Sequence, residues 1–400
     1  MHKLIEMIRQ RLFRLADSFI DTVREIRRDI HRFPELSFCE YRTSEIVRRF
    51  LTSHKIDHVT VDGCTAVIAV IKGKQPGSRC VALRADMDAL PVKETASHPY
   101  VSVNDGVMHA CGHDAHTAML LGVAAILNEM RDCFRGTVKL IFQHAEEKLP
   151  GGAVAVLSSH LVDDVDVFLA QHVYPDLPCG KVGFCEGPYM ASGDEINIDI
   201  IGRGGHAAKP WERDNTVIAS ASLLKDLYSR FPEPVCAEET SCLLAFGAVN
   251  ADGSYNVIPD KVSMLGTLRT FSPSCRSDAK NIIESLSDSV ASNYGCKAQV
   301  HISQGYPPLI NNVALTCTCA SVARSLLGDD NVVSLSPLLT AEDFAVYSQR
   351  KPSCFYRLGT SNPEKGVIGK QHTGNFDIDE DALAIGVRLM SFITFSIMND

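Results

Sequence analysis

The sequence predicts an α/β protein in which a mixed, largely parallel sheet domain is interrupted by a smaller βαββαβ domain. Three observations lead there. Apolar, β-branched runs alternate with helical patterns over the first part of the chain. The middle of the chain switches to strictly alternating strand patterns. A length of 400 residues is too great for one ordinary core, so two domains are the default.

Residues 1–28 carry scattered Lys, Arg, Asp and Glu and read as an amphipathic helix, without the apolar run of a signal peptide. Buried strands are predicted at 66–71, 80–85, 137–142, 165–170 and 354–358, with helices at 117–130 and about 153–159 between them. Residues 195–201 alternate, placing Ile196, Ile198 and Ile200 on one face of a half-buried strand. A helix at about 215–230, a strand at 242–249 and a turn through Ala251-Asp252-Gly253 come next. A strand at 262–270, a helix at about 274–294 stopped by Gly295, and a strand at 297–303 complete the series. That order is ferredoxin-like. The expected division gives 1–188 and 305–400 to the larger domain and 189–304 to the smaller.

A formal net charge of −9 with no Lys/Arg block argues against nucleic acid or an anionic membrane as the main partner. Apolar residues make up 45% of the chain, mean hydropathy is near zero, and the longest weakly polar stretch noted, 115–128, is too short to span a bilayer. The fourteen cysteines are scattered, with no Cys-x-x-Cys pair. They read as reduced thiols, and a cytoplasmic location is expected.

Chemistry concentrates at a few places. Met108-His109-Ala110-Cys111-Gly112-His113-Asp114-Ala115-His116 offers thiolate and imidazole at a spacing of two, just before a helix. Such ligands suit Zn²⁺ or a similar first-row ion, although a lone loop histidine is more often satisfied by hydrogen bonds. Gln143-His144-Ala145-Glu146-Glu147 follows the strand at 137–142. Adjacent side chains of extended backbone point opposite ways, so the two glutamates suit two tasks, one holding metal and one handling protons. Standing alone, the pair would read as a solvated surface feature. Gln171-His172 ends the strand at 165–170, Asp86-Met87-Asp88 follows the one at 80–85, and Lys370-Gln371-His372-Thr373-Gly374-Asn375 has loop chemistry. Open α/β sheets gather their chemistry beyond the carboxyl ends of the strands; three of these groups stand at strand ends and two lie in loops, and together they make a set that each alone does not.

Several motifs together resemble a known family: Arg84-Ala85-Asp86-Met87-Asp88-Ala89-Leu90-Pro91, the stretch from His109 to His116, Ala145-Glu146-Glu147, Gly204-Gly205-His206-Ala207-Ala208 and Asn256-Val257-Ile258-Pro259-Asp260. It is the metal-dependent amidohydrolase family of hippurate hydrolases, bacterial N-acyl-amino-acid amidohydrolases and plant auxin-conjugate hydrolases, within the aminoacylase and carboxypeptidase group. The resemblance runs in order from about residue 27 to 383. It implies a metallopeptidase-like catalytic domain and a lid domain through which two chains pair as a homodimer. It also implies two divalent ions held by Cys111, His113, Glu147, His172 and His372, more ligands than one tetrahedral ion with an open position takes. Zn²⁺ or Mn²⁺ is foremost, with Co²⁺ or Ni²⁺ as alternatives. By the same resemblance Glu146 is the general base and Asp88 hydrogen-bonds a ligand into place. His206 becomes the donor to the developing oxyanion, and Arg269 and Asn256 bind the substrate, the arginine through its carboxylate.

The implied reaction is hydrolysis of the amide bond of a small N-acyl amino acid, with a dipeptidase or carboxypeptidase as the nearest alternative. Readings from other classes are a nucleophilic Cys111 activated by histidine and a protein that only stores metal. The spare carboxylate of Glu146-Glu147 argues against the store. The chain departs from the family pattern at His144, where proline is usual, and near Trp211, Asp214-Asn215 and Gly374. His144 adds an imidazole near the expected metals, and these departures bear on specificity more than on ligation.

Overall fold

The computed structural model describes residues 2–234 and 241–399, so Met1, Asp400 and the segment 235–240 with its Cys236 lie outside the described residues. The chain packs as two compact units, one of residues 1–187, 310–335 and 346–400, the other of 188–309 and 336–345. The sequence reading leaves 336–345 in the larger domain. Backbone hydrogen bonds from Leu338 to Tyr189 (2.8 Å) and from Ala191 to Leu338 (3.0 Å) bind this segment to the smaller unit instead.

The larger unit holds an eight-stranded sheet in the order Asp57–Thr60, Val67–Lys72, Arg135–Gln143, Gln75–Asp86, Val167–Pro178, Ser353–Ser361, Val182–Phe184, Val332–Ser334. Its centre is parallel: Gln75–Asp86 pairs in parallel with both neighbours, and Val167–Pro178 with Ser353–Ser361. Antiparallel pairs join Asp57–Thr60, Val67–Lys72 and Arg135–Gln143 at one side and Ser353–Ser361 to Val182–Phe184 at the other. Residues 80–86 are buried throughout, as a strand covered on both faces must be. Helix His113–Glu129 is buried from His113 to Leu127, and with Asp381–Asn399 it packs on the sheet beneath His2–Arg32. Among the described residues Asp381–Asn399, not 115–128, is the helix long and apolar enough to cross a membrane, yet its Leu383, Val387, Met390 and Ile393 sit in the main core.

Strand Val167–Pro178 corrects the predicted end at 170. Gln171 and His172 interrupt the apolar run, but both are buried within the strand, opposite Tyr356 and Arg357. The Tyr356 hydroxyl donates to Gln171 Oε1 at 3.1 Å, so the polar residue does not break the ladder.

In the smaller unit, Asp194–Ile201, Thr216–Arg230, Cys242–Ala251, Lys261–Thr270, Pro273–Asn293 and Lys297–Ser303 follow in the order βαββαβ. The sheet order is Cys242–Ala251, Lys261–Thr270, Asp194–Ile201, Lys297–Ser303, all antiparallel. Ile196, Ile198 and Ile200 share a core with Leu223 and Leu227 of one helix and Ile283 of the other. Asn215 caps the first helix by accepting from the Ile218 amide at 3.2 Å. A two-stranded ribbon, Gly205–His206 on Val257–Ile258, stands beside this sheet.

Candidate metal centre

The parallel register sets the first part of the site, because Asp86 and Gln143 lie opposite each other where their strands end. The chain beyond Gln143 then leaves extended geometry. Ala145 has φ +49° and its amide donates to Glu40 Oε1 at 2.8 Å. The Glu147 amide donates to Asp88 Oδ2 at 2.9 Å. Through this bend Glu146 and Glu147 each bring a carboxylate oxygen into one group with a His113 ring nitrogen, all within 4.8 Å of one another. The alternation of an extended chain, expected from sequence, does not hold here.

Gly112 supplies the second part. Its φ is +92°, and a Cβ there would stand 2.4 Å from Val173 Cγ2. Glycine therefore lets Cys111 and His113 lie against the strand carrying His172 while the helix starts at His113. Cys111, His113 and His172 form one group of donor atoms within 4.8 Å, and Cys111, Glu147 and His372 form another. The two groups share the Cys111 sulfur. His372 has φ +62° and its amide donates to the Ala110 carbonyl at 2.8 Å, which fixes the loop beside the cysteine.

Two of the three imidazoles are oriented from behind. His172 Nδ1 donates to its neighbour's carbonyl, Val173 O, at 2.7 Å, and Nε2 lies 3.6 Å from Cys111 Sγ. His113 Nδ1 lies 2.9 Å from Asp88 O and 3.2 Å from Asp88 Oδ1, while Nε2 stands 3.8 Å from Glu147 Oε1. His372 Nε2 is 3.4 Å from the same carboxylate oxygen. His113 Nε2 and Glu147 Oε1 are buried without a hydrogen-bond partner. Buried polar atoms left so cost ~1–3 kcal/mol each, and a divalent ion among these soft and hard donors satisfies them. The residues present fit a metal centre.

The protonation pattern points the same way. Burial raises the Cys111 thiol and Glu147 raises it further, against the pull of His113. Contacts with Cys111 and Glu147 raise His372 to about 10. Burial lowers His113, but Asp86 and Cys111 overcome it and hold this imidazole well above its usual value. Burial and Arg357 push His172 well below. The site thus stores protons that a cation displaces on binding. A thiol raised by burial is also the reverse of an activated nucleophile, which disfavours a nucleophilic Cys111.

Three supports were not assigned from sequence. His116 Nδ1 lies 2.6 Å from Asp86 Oδ1, and its Nε2 accepts from the Val173 amide at 2.9 Å. Ser37 donates to Asp88 Oδ2 at 2.6 Å. Gln371 Nε2 lies 3.3 Å from Cys111 O and 3.6 Å from its sulfur, and only its place beside His372 hinted at that. His144 is buried edge-on against Phe38, ring centroids 5.7 Å apart.

His206, Asn256 and Arg269 belong to the smaller unit. His206 is exposed at the ribbon, and its Nδ1 accepts from the Ala208 amide at 3.1 Å, which leaves the ring proton on Nε2. The Asn256 carbonyl accepts from the Ala207 amide at 2.9 Å, tying it to the same turn. Arg269 is half-buried in Lys261–Thr270 and passes so close to Gly193 that a Cβ there would lie 2.4 Å from its Nη1.

Known proteins match this chain over nearly its whole length. An N-acetylcysteine deacetylase of Bacillus subtilis is 38% identical over 90% of this chain and 92% of its own. Thermostable carboxypeptidase 2 of Saccharolobus solfataricus is 36% identical over 95% and 96%. The crystal structure of a Bacillus subtilis dinuclear metal-binding peptidase of the M20 family superposes with a TM-score of 0.84 at 33% identity, covering 96% of this chain and 99% of that one. The model of peptidase family M20/M25/M40 matches residues 82–394, and the chain therefore belongs to that family and is a metal-dependent amidohydrolase.

Proposed function

We propose that the protein hydrolyses the amide bond of N-acyl amino acids, with Cys111, His113, Glu147, His172 and His372 holding two divalent ions. The observation that carries this reading is the placement of Glu146: a carboxylate within reach of His113 and Glu147 but additional to the five-residue donor set. Bound ions of the zinc or manganese type would polarise the amide carbonyl and acidify a water. Glu146 takes the proton from that water and returns it to the departing amine. His206, with its proton on Nε2, donates to the oxyanion, and Arg269 with Asn256 holds the substrate carboxylate. Asp88 keeps His113 in the tautomer that leaves Nε2 open.

The deacetylase relative supports an acyl-amino-acid substrate, and the carboxypeptidase relative supports a second reading in which a peptide is cut at the same centre. A panel of N-acetyl, N-benzoyl and indole-acetyl amino acids set against two dipeptides separates them: higher kcat/KM on the dipeptides overturns the first. For the site itself, Glu146→Gln should lose turnover by far more than about tenfold (~1.4 kcal/mol) and still carry metal, whereas Glu147→Gln should lose metal too. A Glu146→Gln enzyme within about tenfold of wild type refutes the base assignment. Homodimer pairing through the smaller unit and a cytoplasmic location complete the proposal, the latter supported by free thiols at the described cysteines.

A further inference from the structure

A second cluster of ligating side chains lies in the larger unit, apart from the residues assigned above. His31 is in the last turn of helix His2–Arg32, and Glu94 and His98 lie in the loop after strand Gln75–Asp86. His31 Nε2 stands 3.1 Å from Glu94 Oε1, and His98 Nε2 stands 2.9 Å from the same oxygen. All three atoms fall within 4.8 Å of one another. A tetrahedral zinc ion with bonds of ~2.0–2.2 Å spaces its ligand atoms by about 3.3 Å, so small side-chain shifts convert these contacts into coordination.

The surroundings are those of a ligand site rather than of a simple ion pair. His31 Nδ1 lies 2.8 Å from Asp114 Oδ2, and Arg27 Nε donates to that oxygen at 2.8 Å. A carboxylate behind an imidazole sets the tautomer and sharpens the other nitrogen as a ligand. Glu94 Oε2 accepts from the Ser102 amide at 2.7 Å. The His98 ring stacks on Tyr100, centroids 3.9 Å apart. Despite its nearness to Glu94, His98 has neither ring nitrogen in a hydrogen bond. His98 Nε2 also faces Asp377 Oδ2 at 4.0 Å, so it stands between two carboxylates.

We propose that His31, Glu94 and His98 form a further divalent-cation site of the zinc class. The cation takes the place of the His31 Nε2 proton, which is released to solvent on binding. Occupancy ties the 94–98 loop to the end of helix His2–Arg32. It also braces Asp114, the neighbour of His113.

The test compares intact holoenzyme of wild type, His98→Gln and Glu94→Gln by equilibrium dialysis against Zn²⁺, raised stepwise through the micromolar range. Wild type should hold about one ion per chain more than either variant and gain Tm over steps in which the variants gain none. The readout is a difference between proteins, so it stands whatever the ion count at Cys111–His372. Equal ion content and equal Tm response in wild type and His98→Gln overturn the site and leave the cluster as an ion-pair network. Should His98→Gln fail to fold, the same comparison on Glu94→Gln decides it.

Discussion

Gly112 shows that backbone geometry governs ligand placement as firmly as side-chain identity. Gly112→Ala puts a Cβ into Val173 at a positive φ, and should cost ~1–3 kcal/mol. Because residues 111 and 113 flank it, metal retention should fall as well; thermal melts and elemental analysis check both. A stable, fully loaded variant would mean that the strand carrying Val173 gives way easily. Arg269→Lys tests the substrate grip. It keeps the charge and loses the planar fork, so preference for free-carboxylate over amidated substrates should drop roughly tenfold, read as a ratio of kcat/KM values. An unchanged ratio moves the carboxylate pocket elsewhere. Residue types and spacing marked the stretches around Cys111, Glu146-Glu147, His172 and His372 as candidates, and the family resemblance implied which residues in them act as ligands and base. The joint orientation of Glu146 and Glu147 was not legible. It depends on the positive φ of Ala145 and on Glu40, which lies far away along the chain.

Elements differ in how they announce themselves. The central strands were readable because burial on both faces demands continuous apolar runs, as at 80–86. Helix Tyr41–Ser53 was not, since its apolar residues buried in the core are only Val47 and Leu51 within a charged sequence. The three-residue strands Val182–Phe184 and Val332–Ser334 are too short for any period to show. Helix His2–Arg32 is anchored by one buried cation. Arg27 donates to Asp114 at 2.8 Å and to Asp377 at 2.7 Å. Arg27→Met leaves the buried Asp114 carboxylate with His31 alone beside it and should cost roughly 3 kcal/mol in urea or thermal unfolding. The same pair makes an acid prediction. Against the effect of burial, Arg27 and His31 hold the Asp114 carboxyl well below its usual 3.8. A depressed carboxylate stabilises above the unfolded value and loses that contribution as pH falls below it. Wild type should therefore lose stability below about pH 4 more steeply than Arg27→Met; parallel profiles from pH-dependent melts would refute the linkage.

At the scale of the molecule, the proposed ligands lie in one compact unit and His206 in the other. If two chains pair through the smaller unit, a two-fold interface offers both His206 rings symmetrically. Mixing inactive Glu146→Gln and His206→Ala homodimers and allowing subunit exchange then tests whether His206 serves the partner's site. Each heterodimer would regain one intact centre, and about a quarter of wild-type activity should return. No recovery after confirmed exchange places His206 in its own chain's site. The two-domain organisation and the βαββαβ order were legible from the change in strand pattern. The return of 336–345 to the smaller unit was not, because two backbone hydrogen bonds leave no mark in side-chain type. The place of Ser353–Ser361 in the sheet has a consequence for biosynthesis. It sits between Val167–Pro178 and Val182–Phe184, although the ribosome makes it after the whole smaller unit. Until then the nascent chain carries Val167–Pro178 with one edge unpaired, a template for misassociation with other chains. His372 emerges later still, so the donor group of Cys111, Glu147 and His372 comes together only after that strand has been made.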